Sequence, residues 1–129
     1  MEFDHKSSAS APASLLMTIP NKYPTIPTHI RLTYPFAQLC PISGEPQPAS
    51  TITISYDAGT CLLETKATRT YLASFAGENR YGVRDLEEAA QLVAQHCADL
   101  LGIQVQVRAY YLLQLEEMEV IVTAEPHAF

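Results

Sequence analysis

Residues 85–113 read DLEEAAQLVAQHCADLLGIQVQVRAYYLL, a helical pattern followed directly by a strand pattern. Apolar residues recur at helical spacing up to Leu101, and from Ile103 onward they alternate with polar residues as in a half-buried strand. Asp85 is placed to cap the helix with Glu88 as its reciprocal partner, and Gly102 is placed to end it. These residues therefore predict a helix that packs on one face of a sheet.

The rest of the chain predicts further strands and one short helix. In chain order these are strands at 28–36, 50–56 and 60–66, a helix at 68–75 that Gly77 ends, and a last strand at 117–124. Residues 57–59 supply a turn that would pair the second and third strands as a hairpin. The strand at 117–124 would form another hairpin with 103–113. The order of strands, helices and strands predicts an α+β fold with helices on one face of an antiparallel sheet.

Length and composition indicate one globular domain. The chain has 129 residues, of which 47% are hydrophobic and 17% charged, a balance that excludes a disordered chain or a fibre. We expect residues 1–19 to form a flexible tail and residues 20–129 to form a single domain. The sequence shows neither a membrane-spanning apolar run of about 20 residues nor a secretory leader, so we expect a cytoplasmic protein without membrane partners.

Charge and cysteine content narrow the classes of ligand. Residues 1–84 carry seven bases and six acids, whereas residues 85–129 carry one base and eight acids, which reproduces the net charge of −6. This acidity argues against direct nucleic-acid binding and places any anion site in the first part of the chain. Three cysteines without a CxxC pair, and histidines without ligand spacing, argue against a disulfide framework or a metal site.

Several residues are candidates for chemistry, each with a structural alternative. Cys40 lies beside a Pro/Gly turn and is either a nucleophile or a small buried apolar residue. Lys66 and Arg69 would share a helix face that holds a phosphate, or would be solvated, and Glu64 could pair with one of them. Glu87 opens the long helix, where it either suits the helix dipole or accepts N–H groups of a purine-like ring.

Two of these segments resemble one enzyme family. Residues 36–46 read FAQLCPISGEP, which is similar to the F-x-x-L-C-P-V-T-G-x-P-D segment of 7-cyano-7-deazaguanine reductases, the nitrile reductases of queuosine biosynthesis, a tRNA modification. Residues 63–75 read LETKATRTYLASF and resemble the family's E-S-K-S-x-K-x-Y-x-x-S-F stretch. The resemblance implies the tunnelling fold: a four-stranded antiparallel sheet, two helices on one face, and self-association of subunits into an oligomeric barrel.

The resemblance also implies a mechanism and roles for individual residues. Cys40 would add to the nitrile carbon and form a thioimide, and two NADPH molecules would deliver hydrides to give the aminomethyl product. Lys66 and Arg69 would contact the NADPH phosphates. A glutamate would hold the 7-deazaguanine ring, a role that falls on Glu87 or Glu64.

The sequence departs from the family pattern at three places. Gln47 stands where the family has its general acid, and an amide cannot donate a proton in this way. Glu45, two residues earlier, would point to the same side in extended backbone and could replace that acid. Leu86 stands where the family has a histidine beside the ring-binding glutamate, and residues 115–117 read LEE where the family has Arg-Gly-Gly.

These departures leave three functions open. The first is a nitrile reductase that uses NADPH on a 7-deazaguanine or a related heterocycle. The second keeps only the thioimide step and forms an amidine with another nucleophile such as ammonia, without NADPH. The third is a catalytically idle tunnelling-fold protein that binds a purine or pterin.

Overall fold

The computed structural model describes residues 12–40, 43–76 and 85–128, and it contains six strands and two α-helices within those ranges. A 3₁₀ turn at Pro12–Leu15 precedes them. The elements are β1 Thr18–Pro20, β2 His29–Pro35, β3 Thr51–Asp57, β4 Cys61–Leu63, α1 Thr65–Ala73, α2 Leu86–Leu101, β5 Val105–Leu112 and β6 Glu117–Ala124.

Strands β2, β3, β5 and β6 form an antiparallel sheet in the order β2-β3-β5-β6. Ile52 and Ile54 of β3 are fully buried, whereas Thr51, Thr53 and Ser55, which alternate with them, are partly exposed. This period of two gives the sheet one apolar face and one polar face. The predicted hairpin of the last two strands is confirmed, and the N–H of Leu113 donates to the carbonyl of Glu116 at 2.8 Å within its loop.

Both helices contribute to a single core on the apolar face of the sheet. Helix α2 buries a stripe that includes Val93 and Cys97, and α1 buries Tyr71 and Leu72. The four-stranded sheet with two helices on one face, as predicted, is confirmed. Gly102 ends α2 in the left-handed conformation, with φ of 71°, and its N–H donates to the carbonyl of Ala98 at 2.8 Å.

Two local predictions were wrong. Residues 60–66 do not return along β3, because β3 is already paired on both edges, with β2 and β5. Instead, β4 pairs antiparallel with β1 in a separate two-stranded ribbon. The helix predicted at 68–75 begins earlier, at Thr65, because Glu64 caps it: the Glu64 side chain accepts a hydrogen bond from the N–H of Ala67 at 2.7 Å.

The predicted cap of α2 is confirmed in its position but not in its hydrogen bond. Asp85 occupies the N-cap position of α2, but its side chain makes no capping hydrogen bond. Two of the three residues of β1, Thr18 and Ile19, fall within the segment predicted as a tail, and Leu16 just before the strand is only 6% exposed. Residues 1–11 of that tail and the helix stop at Gly77 lie outside the described residues, and the division into tail and domain stays a prediction.

A hydrogen bond between the buried Tyr71 and the partly buried His96 joins the two helices and predicts a pH effect on stability. The Tyr71 hydroxyl lies 2.8 Å from Nδ1 of His96. Burial lowers the pKa of His96, against an opposing effect of the Asp99 carboxylate. Because the folded-state pKa lies below the unfolded value, the unfolded chain binds the proton first. The free energy of unfolding should therefore be highest above about pH 6.5 and decrease as the pH falls towards the folded-state pKa.

We expect the midpoint of urea unfolding to decrease between about pH 7.5 and about pH 5. His96→Gln should flatten this dependence, because glutamine does not titrate while its amide oxygen still accepts from Tyr71. The matched control is His29→Gln, which removes an exposed histidine and should leave the slope due to His96 in place. Equal slopes for the wild type and His96→Gln would show that His96 does not carry the effect.

Candidate active site

The loop between β2 and β3, residues 36–50, is fastened to the end of the sheet by hydrogen bonds to its neighbours. The N–H of Phe36 donates to the carbonyl of Ser50 at 2.9 Å, and the N–H of Gln47 donates to the carbonyl of Leu112 at 2.8 Å. The fully buried Ser50 accepts a hydrogen bond at its Oγ from the N–H of Leu112 at 2.9 Å. Leu112 of β5 therefore forms hydrogen bonds with two residues in the second half of the loop, Gln47 and Ser50.

Cys40 lies in a tight turn within this loop. Its N–H donates to the carbonyl of Glu45 at 2.9 Å, and its carbonyl accepts from the N–H of Gly44 at 2.8 Å. Gly44 has a φ of 74°, a left-handed conformation that favours glycine. Pro41 and Ile42 of the family-like motif lie outside the described residues. The turn fixes the backbone of Cys40 and leaves its side chain partly exposed.

The other two cysteines differ from Cys40 in position. Cys97 is fully buried on α2, and burial raises the pKa of its thiol to about 12, so it does not form a thiolate near neutral pH. Cys61 lies in β4, where Pro20 of β1 is its cross-strand partner. Of the three, Cys40 alone is in a loop at the end of the main sheet.

Glu45 and Gln47 follow Cys40 around the same turn. Oε2 of Glu45 accepts a hydrogen bond from the N–H of Gln114 at 2.8 Å, which ties the carboxylate to the β5–β6 loop. Gln47 is exposed and lines a cleft of about 250 Å³ with that loop and the start of β6, including Glu116 and Glu117. The structure thus brings Cys40, Glu45 and Gln47 to one end of the sheet.

Aromatic packing brings the start of α2 to the same end. The ring of Phe36 lies 5.8 Å from that of Phe75 and 6.3 Å from that of Tyr111. The Tyr111 hydroxyl donates to the carbonyl of Leu86 at 2.8 Å. Burial raises the pKa of Tyr111, and the nearby Glu87 carboxylate adds to the shift. Glu87 is therefore an exposed carboxylate at the end of the sheet that carries Cys40.

The predicted phosphate-binding and ring-binding residues of α1 take separate roles. Lys66 and Arg69 are exposed and three residues apart, so they share a face of α1, and neither forms an ion pair with Glu64 among the described residues. Oε1 of Glu64 is used in the helix cap. The hydroxyl of Tyr34 donates to the carbonyl of Thr65 at 3.2 Å, which places the start of α1 beside β2.

Part of this chain is similar in sequence to one group of known enzymes. It is 35% identical over 74 residues to the NADPH-dependent 7-cyano-7-deazaguanine reductase of Parvibaculum lavamentivorans, covering 57% of this chain and 47% of the relative. It is 40% identical over 72 residues to the enzyme of that name from Rhodopseudomonas palustris, covering 54% of this chain and 44% of the relative. The chain is a divergent relative of these reductases. It spans less than half the length of either relative, and no protein-family model matches it.

The fold comparison agrees with this kinship. The crystal structure of the archaeosine synthase QueF-Like in the apo form superimposes with a TM-score of 0.62 at 20% identity, covering 80% of this chain and 99% of that one. The chain therefore has the fold of that protein, the predicted α+β tunnelling fold. At this level of identity the likeness concerns the fold alone.

The described residues form neither a metal-binding cluster nor a membrane-spanning helix. No group of three or more His, Cys, Asp or Glu residues is arranged to hold a metal ion in the part of the chain that the structure describes. Nor does any described helix have the length and apolarity needed to cross a membrane.

Sequence reasoning missed two residues that position the site. The sequence predicts Ser50 only as the first residue of a strand, although its buried hydroxyl joins the Cys40 loop to β5. Gln114 lies in the hairpin loop, and its N–H holds the carboxylate of Glu45. A small polar residue directly before a strand was a usable signal for Ser50. A backbone donor such as that of Gln114 leaves no signal in the sequence.

Proposed function

We propose that this divergent relative is a nitrile reductase-like enzyme that acts on 7-cyano-7-deazaguanine or a closely related heterocycle, with Cys40 as the nucleophile. The observation that carries the proposal is the partly exposed Cys40, held in a fixed turn at the same end of the sheet as Glu45 and Glu87. A nucleophilic thiol needs this combination of access and fixed position.

The proposed chemistry assigns one role to each of these side chains. The Cys40 thiolate adds to the nitrile carbon, and its lone pair forms the C–S bond of a thioimide while one C–N π bond breaks. The nitrile nitrogen then needs a proton, for which Glu45 is the nearest carboxyl group along the turn. Glu87 is the exposed carboxylate suited to accept N–H groups of the ring, because Oε1 of Glu64 is already used in the helix cap.

The surface of α1 fits the phosphates of NADPH. Lys66 and Arg69 present two cations on one exposed helix face, and no carboxylate neutralises either of them among the described residues. Two such cations can bind a phosphate group. When bound, NADPH supplies hydride to the thioimide carbon. Self-association into a barrel is part of the proposal, since β2 and β6 are the edge strands of the sheet and exposed edges favour pairing with another chain.

The direct test is turnover of the nitrile by the wild-type chain. Incubation with 7-cyano-7-deazaguanine and NADPH should consume two NADPH for each aminomethyl product, because a nitrile needs two hydrides to become an amine. Product is measured by chromatography with mass detection, and NADPH by its absorbance. Binding of the nitrile without NADPH consumption or product would contradict the reductase proposal.

One observation favours a second candidate, an amidine-forming enzyme that shares the thioimide step but needs no dinucleotide. Glu116 and Glu117 line the cleft beside Gln47, at the loop where the resembled family carries Arg-Gly-Gly. Carboxylates there would repel a cofactor phosphate. Replacing NADPH with ammonia in the same assay distinguishes the two enzymes: the amidine would form with ammonia alone. The absence of both products would leave an idle protein that binds a purine or pterin.

A further inference from the structure

The face of the sheet that points away from the helices carries an ordered set of polar side chains. Cross-strand pairing aligns them in two adjacent rows across β2, β3 and β5: Arg31, Ser55 and Gln106 in one row, and Thr33, Thr53 and Arg108 in the other. The two arginines therefore stand on opposite sides of β3 and in adjacent rows, about 10 Å apart across the strands and about 7 Å along them, which separates them by about 12 Å in all. Both arginines line a hollow above Thr53 and Ser55.

A groove runs between these arginines. A hollow of about 160 Å³ is lined by Arg31, Thr53, Ser55, Gln106 and Arg108. A larger hollow of about 520 Å³ shares Arg31, Ser55 and Gln106 with it and continues to His29 and Gln104. We call the two together the cross-sheet groove. Its smaller part has the cations, and its larger part offers amide groups and room for the rest of a ligand.

The charges in the cross-sheet groove are only weakly neutralised. Arg31 has no ion-pair partner within the described ranges of the chain. Arg108 lies 3.5 Å from Glu119, but both side chains are about half exposed, and such pairs are worth little. Oδ1 of Asp57 lies 2.9 Å from Nδ1 of His29, so this carboxylate already has a partner. In a chain with a net charge of −6, two arginines with hydroxyl groups between them, of which only Arg108 has a carboxylate partner among the described residues, are a local exception.

We propose that the cross-sheet groove is an anion site that binds a phosphorylated small molecule, with its phosphate group between Arg31 and Arg108. Guanidinium groups donate in pairs to phosphate oxygens, and the hydroxyls of Thr53 and Ser55 add donors from below. The polar body of the ligand would lie in the larger hollow against Gln104 and Gln106. The site goes beyond the proposed function, because it lies on the opposite side of the sheet from Lys66 and Arg69.

The test is isothermal titration of the purified chain with pyrophosphate at low ionic strength. We expect a site in the groove, distinct from any at Lys66 and Arg69, whose affinity for pyrophosphate falls about tenfold or more in each of Arg31→Gln and Arg108→Gln, because each variant removes a charge-assisted pair of hydrogen bonds. Lys22→Gln, which removes one exposed positive charge outside the groove, is the matched control and should bind as the wild type does. Thermal unfolding checks that all variants are folded.

Three results would overturn the proposal: no binding of pyrophosphate to the wild type, unchanged affinity in both arginine variants, or an equal loss in Lys22→Gln. A second titration with NADP⁺ identifies the source of the phosphate. Loss of NADP⁺ affinity in the arginine variants would assign its phosphates to the groove. Loss only in Lys66→Gln would leave the groove, with its measured pyrophosphate affinity, to another phosphorylated ligand. Neither result depends on turnover of the nitrile.

Discussion

Replacement of Cys40 by alanine will abolish the covalent adduct between the chain and 7-cyano-7-deazaguanine. The thioimide needs a thiolate, and the other two cysteines are unsuited to form it. Cys97 is fully buried with a pKa of about 12, and Cys61 belongs to the β1–β4 ribbon. The measurement is the mass of the intact protein after incubation with the nitrile: the wild type should gain the mass of one nitrile molecule per chain, and Cys40→Ala should gain none.

Cys61→Ala is the matched control, because it also removes a partly exposed thiol but leaves the loop at residues 36–50 unchanged. It should form the adduct as the wild type does. Addition of NADPH to the adduct should restore the original mass if the reductase proposal holds. An adduct that persists in Cys40→Ala and disappears in Cys61→Ala would assign the nucleophile to the ribbon and contradict the site proposed here.

The elements with long regular patterns were predictable from the sequence, and those that depend on distant partners were not. Helix α2 and the β5–β6 hairpin each follow from one uninterrupted periodicity. The ribbon of β1 and β4 has only three residues in each strand, too few for a period to distinguish a partner. Its pairing is decided by the fact that both edges of β3 are already occupied, which is a property of the whole sheet.

The candidate site shows the same division. Cys40 and Glu45 could be placed together, because their turn is local in the sequence. The contact of Glu45 with Gln114 joins residues 69 apart and follows only from the strand order. The cross-sheet groove could not be read as one feature, because Arg31 and Arg108 become neighbours only across β3. The charge count placed any anion site in the first part of the chain, whereas the groove draws one of its two arginines from each part.

The substitution Glu45→Gln will lower turnover by about 10²–10⁴-fold while leaving the chain folded. The two effects separate because Glu45 has two roles in the proposal. Its Oε2 accepts from the N–H of Gln114, and the amide oxygen of glutamine can accept the same hydrogen bond. The proton that the nitrile nitrogen needs cannot come from an amide. The loop should therefore keep its attachment to β5–β6 and lose the proposed acid.

The measurement combines kcat/KM for the nitrile with the midpoint of thermal unfolding for each variant. Glu116→Gln is the matched control, because it removes one carboxylate from the adjoining cleft without touching the Cys40 turn. It should leave turnover within a fewfold of the wild type. Adding Gln47→Glu to the Glu45→Gln variant places a carboxyl group where the resembled family carries its acid, and it should recover part of the activity. Full activity in Glu45→Gln with an unchanged unfolding midpoint would show that Glu45 only anchors the loop, since only the proton donor differs between the two side chains.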